Sequence, residues 1–147
     1  MIIAVDFDGV LCEDAFPLIG KPNYEMISIV RRWIDDGNEV ILWTCRVDER
    51  LKEAVDWCSD YGLHFCTVNE NAPSNLAKYP TNPRKVYADV YIDDRDAFYQ
   101  RARKNKVDLV YAVNELVTNK RRQERIRQEN LEILKRKEDK QNEKDKR

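Results

Sequence analysis

A chain of 147 residues, 42% of them hydrophobic, carries enough apolar material for one core and too little length for two ordinary domains. The longest apolar runs, such as Met1 to Val5 and Val40 to Trp43, fall far short of the roughly 20 residues that a membrane helix needs. A formal net charge of -1 conceals an acidic body, residues 1 to 119 at -6, and a basic tail, residues 120 to 147 at +5.

MIIAVDF, residues 1 to 7, is a short apolar run ending in an acid, the pattern of a fully buried parallel strand. It enters that strand without a basic n-region or a cleavage site, so the expected compartment is the cytoplasm. Met26, Ile27, Ile29, Val30, Trp33 and Ile34 recur at helical spacing from Tyr24 to Asp36, and Gly37 supplies the stop. Asn38 to Thr44 reads as a second strand. Val47 to Tyr61 reads as a second amphipathic helix, closed by Gly62. His64 to Val68 predicts a third short strand, and the three prolines between Ala72 and Arg84 predict a loop with at most a short helix. Val86 to Ile92 is the fourth expected strand, followed by a helical stretch to about Asn105. Val107 to Val117 fits either a fifth strand with a following helix or a single helix. From Lys120 helix formers abound without a sustained heptad seam, which favours a partly frayed, solvated helix over a coiled coil. Strands alternating with helices predict an α/β fold, a three-layer Rossmann-like arrangement whose central parallel sheet places its ligand site at the carboxyl ends of the strands.

Four cysteines lie far apart without a CxxC pair, and His64 is the single histidine. Structural zinc is therefore not expected, and the thiols read as buried or half-buried groups in a reducing compartment. His64 reads as a surface or capping residue. The acids are more informative. Asp6 and Asp8, in DFDGV, stand two apart at the end of the first strand, so an extended backbone turns both the same way, and Gly9 lets the chain bend. Asp93 and Asp94, in YIDDRD, close the fourth strand at the same sheet edge. Two like charges about 4 Å apart repel by about 4 kcal/mol at an effective dielectric of about 20, so such a cluster calls for a hard divalent cation. Magnesium suits it, being held by carboxylates, waters and substrate phosphate. Thr44 ends the second strand, where its hydroxyl can donate to a phosphoryl oxygen. Lys85, just before the fourth strand, is read as bringing a positive charge to the same edge.

DFDGV, Thr44 in VILWTCR, Lys85, and the Asp93 and Asp94 pair, in that order over residues 1 to about 100, resemble the four motifs of the haloacid dehalogenase superfamily. Within it the chain is similar to the small phosphatases that lack a cap domain, because residues 10 to 23 leave room for only a short flap and residues 69 to 84 for a loop. The resemblance implies a phosphatase domain over residues 1 to 119 and a charged helical or partly disordered tail over 120 to 147. It implies Asp6 as nucleophile, forming an aspartyl-phosphate, and Asp8 as general acid and then base, starting protonated on a raised pKa. Mg²⁺ would be held by the Asp6 carboxylate, the Asp8 backbone carbonyl, Asp93, and Asp94 directly or through water. Thr44 and Lys85 would hold the phosphoryl oxygens, with Lys78 as the other lysine for that role if the loop around Pro80 and Pro83 folds back. Arg46 either reaches the substrate or pairs with Asp48 or Glu49.

The expected reaction is Mg²⁺-dependent hydrolysis of a phosphomonoester, the partner being a phosphorylated small molecule or the phosphorylated end of a macromolecule. The rival is a non-catalytic module that binds Mg²⁺ and phosphate with the same pocket. A phosphoacceptor receiver domain would carry its acceptor after the third strand, where Val68 and Asn69 stand. Nucleic-acid binding by the basic tail is disfavoured by its interspersed acids and lack of aromatics. A homo-oligomer would offer a partner subunit to cover an open pocket.

Overall fold

The computed structural model describes residues 1–79, 81–97, 99, 100 and 109–145. Four strands, β1 (Ile2–Val5), β2 (Glu39–Leu42), β3 (Thr67–Val68) and β4 (Val90–Ile92), form one sheet in the order β3-β2-β1-β4, with every pairing parallel. β1 is buried at all four positions, as a central strand with covered faces must be. α1 (Tyr24–Asp35) joins β1 to β2, α2 (Asp48–Asp60) joins β2 to β3, and α3 (Pro73–Lys78) lies between β3 and β4. This is the expected α/β, Rossmann-like arrangement of a parallel sheet flanked by helices.

Burial explains the helices. α1 turns Met26, Ile27, Ile29, Val30 and Trp33 inward, and its Asn23 cap accepts the Met26 N–H at 3.2 Å. Ile2 and Ala4 of β1 cluster with Ile41, Ala72, Val86 and Ala88 on one face of the sheet. Beyond β1, Phe7 meets Trp57 of α2 edge-on at 5.3 Å.

All four strands are shorter than their sequences suggest, β4 by the most. β4 begins at Val90 rather than Val86, because the Tyr91 hydroxyl donates to the Val86 carbonyl at 2.6 Å and accepts the Ala88 N–H at 3.0 Å. A side chain thus satisfies backbone groups that a strand ladder would otherwise pair. β3 keeps only Thr67 and Val68. The expected loop over 72 to 84 holds the short helix α3.

The chain divides into two compact units, Met1–Asn114 and Glu115–Arg147. Past Asp96 the backbone is helical at Ala97, Tyr99 and Gln100, and 101 to 105 lie outside the described residues. A helix, α4 (Leu109–Asp145), resolves the open reading of Val107 to Val117 in favour of helix from Leu109 onward. In the second unit its surface is laced by exposed pairs such as Arg125 with Glu129 and Arg136 with Glu132. No helix among the described residues is long and apolar enough to cross a membrane.

Candidate functional site

The register of the sheet builds the site. Val5 of β1 pairs with Ile92 of β4, and the Asp6 N–H donates to the Ile92 carbonyl at 2.8 Å, so Asp6 leaves the sheet beside Asp93. One carboxylate oxygen from each of Asp6, Asp93 and Asp94 lies within 4.8 Å of the others. Gly9, at φ +78°, takes the chain past this cluster. A Cβ there would stand 2.5 Å from Asp94 Oδ2, so glycine is required both by the turn and by the closeness of the acid.

Electrostatics mark Asp6 in particular. Its Oδ1 accepts the Phe7 N–H at 2.7 Å. Burial, reinforced by the charges of Asp93, Asp94 and Asp8, outweighs that bond and raises its carboxyl from 3.8 to about 7. Hard oxygen donors this close, one of them strained toward protonation, fit a small divalent cation such as Mg²⁺.

Asp8 is engaged differently. Arg46 Nε donates to its Oδ2 and Arg46 Nη2 to its Oδ1, both at 2.8 Å. The Arg46 side chain is 1% exposed, and it also donates to the Pro17 carbonyl at 3.2 Å and the Leu18 carbonyl at 2.8 Å. Its guanidinium carbon lies 5.0 Å from the Phe7 ring centre and 5.4 Å from that of Phe16. Arg46 therefore ties Asp8 to the segment between β1 and α1. That segment is the expected flap, closed at its base by an antiparallel bridge of Cys12 with Pro22 and by the Glu13 N–H to Lys21 carbonyl bond at 2.8 Å. The open alternatives for Arg46 resolve into neither Asp48 nor Glu49 as partner, but Asp8. The carboxyl raised above its ordinary range is that of Asp6.

Thr44 follows β2 at the same sheet edge. Its N–H donates to Asn69 Oδ1 at 2.8 Å, and its Oγ1 accepts the Arg46 N–H at 3.3 Å. Asn69 takes φ +54°, a left-handed conformation that asparagine tolerates, and so turns its amide back on the Thr44 loop. A cavity of about 570 Å³ is lined by Asp6, Asp8, Thr44, Asp93 and Asp94 together with Asp14, Phe16, Cys45, Arg46 and Arg95.

Lys85 is a correction. It is exposed and precedes β4 on the amino side of the sheet, where the Asp89 N–H donates to the Ile2 carbonyl at 2.8 Å. The acids follow β4 at the opposite edge, and parallel strands put all their carboxyl ends together, so a residue ahead of a strand cannot share that edge. Lys78 ends α3, with its ammonium 5.3 Å from the Tyr79 ring, and lines the cavity no more than Lys85 does. Among the described residues, the cations that line it are Arg46 and Arg95. The thiols also divide: Cys12 and Cys58 are buried, and burial pushes them up to about 11 and about 12, whereas Cys45 and Cys66 are exposed.

A solved structure described as a conserved protein coded by a locus from Bacteroides thetaiotaomicron is similar to this chain, with 32% identity over 71% of this chain and 91% of that one, at a TM-score of 0.58. The chain belongs to the same family as that Bacteroides protein. No family model and no curated protein matches the sequence. Kinship with the Bacteroides protein carries the fold, and the chemistry must be argued from the acids themselves.

Proposed function

We propose that the protein is a Mg²⁺-dependent phosphomonoester hydrolase of the haloacid dehalogenase type, acting through an aspartyl-phosphate on Asp6. The observation that carries this reading is the convergence of Asp6, Asp93 and Asp94 in one cavity with Thr44, at the carboxyl edge of a parallel sheet. Asp6, Asp93 and Asp94 are the residues that would hold Mg²⁺, which when bound supplies charge neutralisation for an anionic nucleophile meeting an anionic ester.

A carboxylate oxygen of Asp6 forms a bond to phosphorus as the ester P–O bond breaks in line behind it. Thr44 is placed to donate its hydroxyl to a phosphoryl oxygen. Arg95, 83% exposed and 3.8 Å from Asp94, has the reach to bring the positive charge that Lys85 cannot. Asp8, taking up a proton once the substrate displaces one Arg46 hydrogen bond, gives that proton to the leaving oxygen, and later takes one from the water that attacks phosphorus as the Asp6 O–P bond breaks.

One observation favours a binding-only module of the same fold: both Asp8 oxygens already accept from Arg46. Hydrolysis of p-nitrophenyl phosphate with Mg²⁺, with excess EDTA, and by Asp6→Asn separates the two. The hydrolase reading expects metal-dependent release of nitrophenol that vanishes in Asp6→Asn. Full activity in Asp6→Asn would sink the nucleophile assignment, and binding of Mg²⁺ and phosphate without turnover of any ester would establish the module instead.

A further inference from the structure

We propose that Phe16 is a platform for a planar aromatic ring on the substrate, so that the ester is a phosphate whose alcohol side bears an aryl or heteroaryl group close to phosphorus. The inference rests on reading the acidic cluster as a phosphoryl site, and deepens it by naming what lies beside that site.

Space is the first argument. A phosphoryl group with a metal ion and its waters fills roughly 200 Å³ at a water's share of about 30 Å³ per heavy atom. The cavity of about 570 Å³ leaves most of its volume for the alcohol side, and lies within the ordinary range of ligand pockets.

The lining is the second. Phe16 lines this cavity yet is 63% exposed, although a ring of that size gains from being covered. Its ring lies 5.4 Å from the Arg46 guanidinium carbon, so it rests on a cation. That cation is held by four hydrogen bonds, two to Asp8 and two to flap carbonyls. A backed ring with most of its surface open is the arrangement on which another π face stacks. Because Arg46 joins this ring to Asp8, the platform stands next to the residue that must meet the leaving oxygen.

Titration calorimetry of the full chain in Mg²⁺ with phenylphosphonate and with methylphosphonate, neither of which can be hydrolysed as an ester, tests this. The wild type is expected to bind the phenyl compound about tenfold more tightly. Phe16→Leu, which keeps an apolar side chain and removes the ring, is expected to cut the ratio to about two, and Phe16→Tyr to preserve it. An unchanged ratio in Phe16→Leu overturns the platform while leaving the phosphoryl site standing. Failure of both phosphonates to bind, with no ester hydrolysed, overturns the phosphoryl site and the platform together.

Discussion

Aspartates stand at both edges of the sheet, and they are held in opposite ways. At the amino edge Asp89 accepts the Ile2 N–H at 2.9 Å on one oxygen and the Tyr87 hydroxyl at 3.0 Å on the other. At the carboxyl edge Asp6, Asp93 and Asp94 face one another, and burial raises Asp6 to about 7. An acid whose oxygens both meet donors stabilises a strand end. Acids that meet other acids store repulsion, which folding alone does not reward and a cation relieves. The contrast between Asp89 and the trio of Asp6, Asp93 and Asp94 marks where a cation would be expected better than the number of acids does.

After the loss of turnover expected of Asp6→Asn, the largest effect is at Asp8: Asp8→Asn should lower turnover by about 10² to 10⁴, as loss of a general acid and base does, measured on p-nitrophenyl phosphate in Mg²⁺. Arg46→Met should cost about 3 kcal/mol in urea unfolding, because it leaves a half-buried Asp8 without its partner and frees the flap carbonyls. A loss no larger than that of an exposed pair would show that Arg46 does not hold flap and floor together.

The third effect depends on pH. In the metal-free protein the folded state keeps the Asp6 proton that the unfolded chain releases near 3.8, so stability is fullest below that pH and declines as pH rises through about 7. On the proposed reading, Mg²⁺ would take the proton's place. The rise in melting temperature on adding Mg²⁺ should therefore be larger at about pH 8 than at about pH 5, and an equal rise at both would separate Asp6 from the metal. The smallest effects belong to the amino edge. Asp89→Asn should cost about 1 kcal/mol of stability and leave turnover within about twofold. Lys85→Ala should change turnover not at all, and its inactivation would erase the distinction between the edges.

Much of this was legible in the sequence. Buried strands alternating with amphipathic helices foretold the sheet, and the acids of DFDGV and YIDDRD, each closing an apolar run, foretold the cluster at its carboxyl edge. What escaped depends on partners distant in the chain or on backbone conformation. Arg46 meets Asp8 across 38 positions, and the one local hint was an arginine two residues past Thr44, echoing the spacing of Asp6 and Asp8. Asn69 acts through a left-handed turn that its residue type permits but does not announce. Lys85 was misplaced although the order was legible: it precedes β4 and the acids follow it, and in a parallel sheet that sets them at opposite ends. The start of β4 was misjudged because Tyr91 competes with the ladder for its own neighbours' backbone.

The pairing of Val5 with Ile92 has a consequence for folding quality. Three acids from two strands meet only if β4 is aligned with β1 in that register, and a slip of one residue would carry Asp93 to the other face of the sheet. If the three acids bind Mg²⁺ as proposed, metal affinity becomes a gauge of correct strand alignment. A cation that binds the aligned chain and not the slipped one shifts the population toward the aligned one by mass action, proofreading the sheet as it assembles.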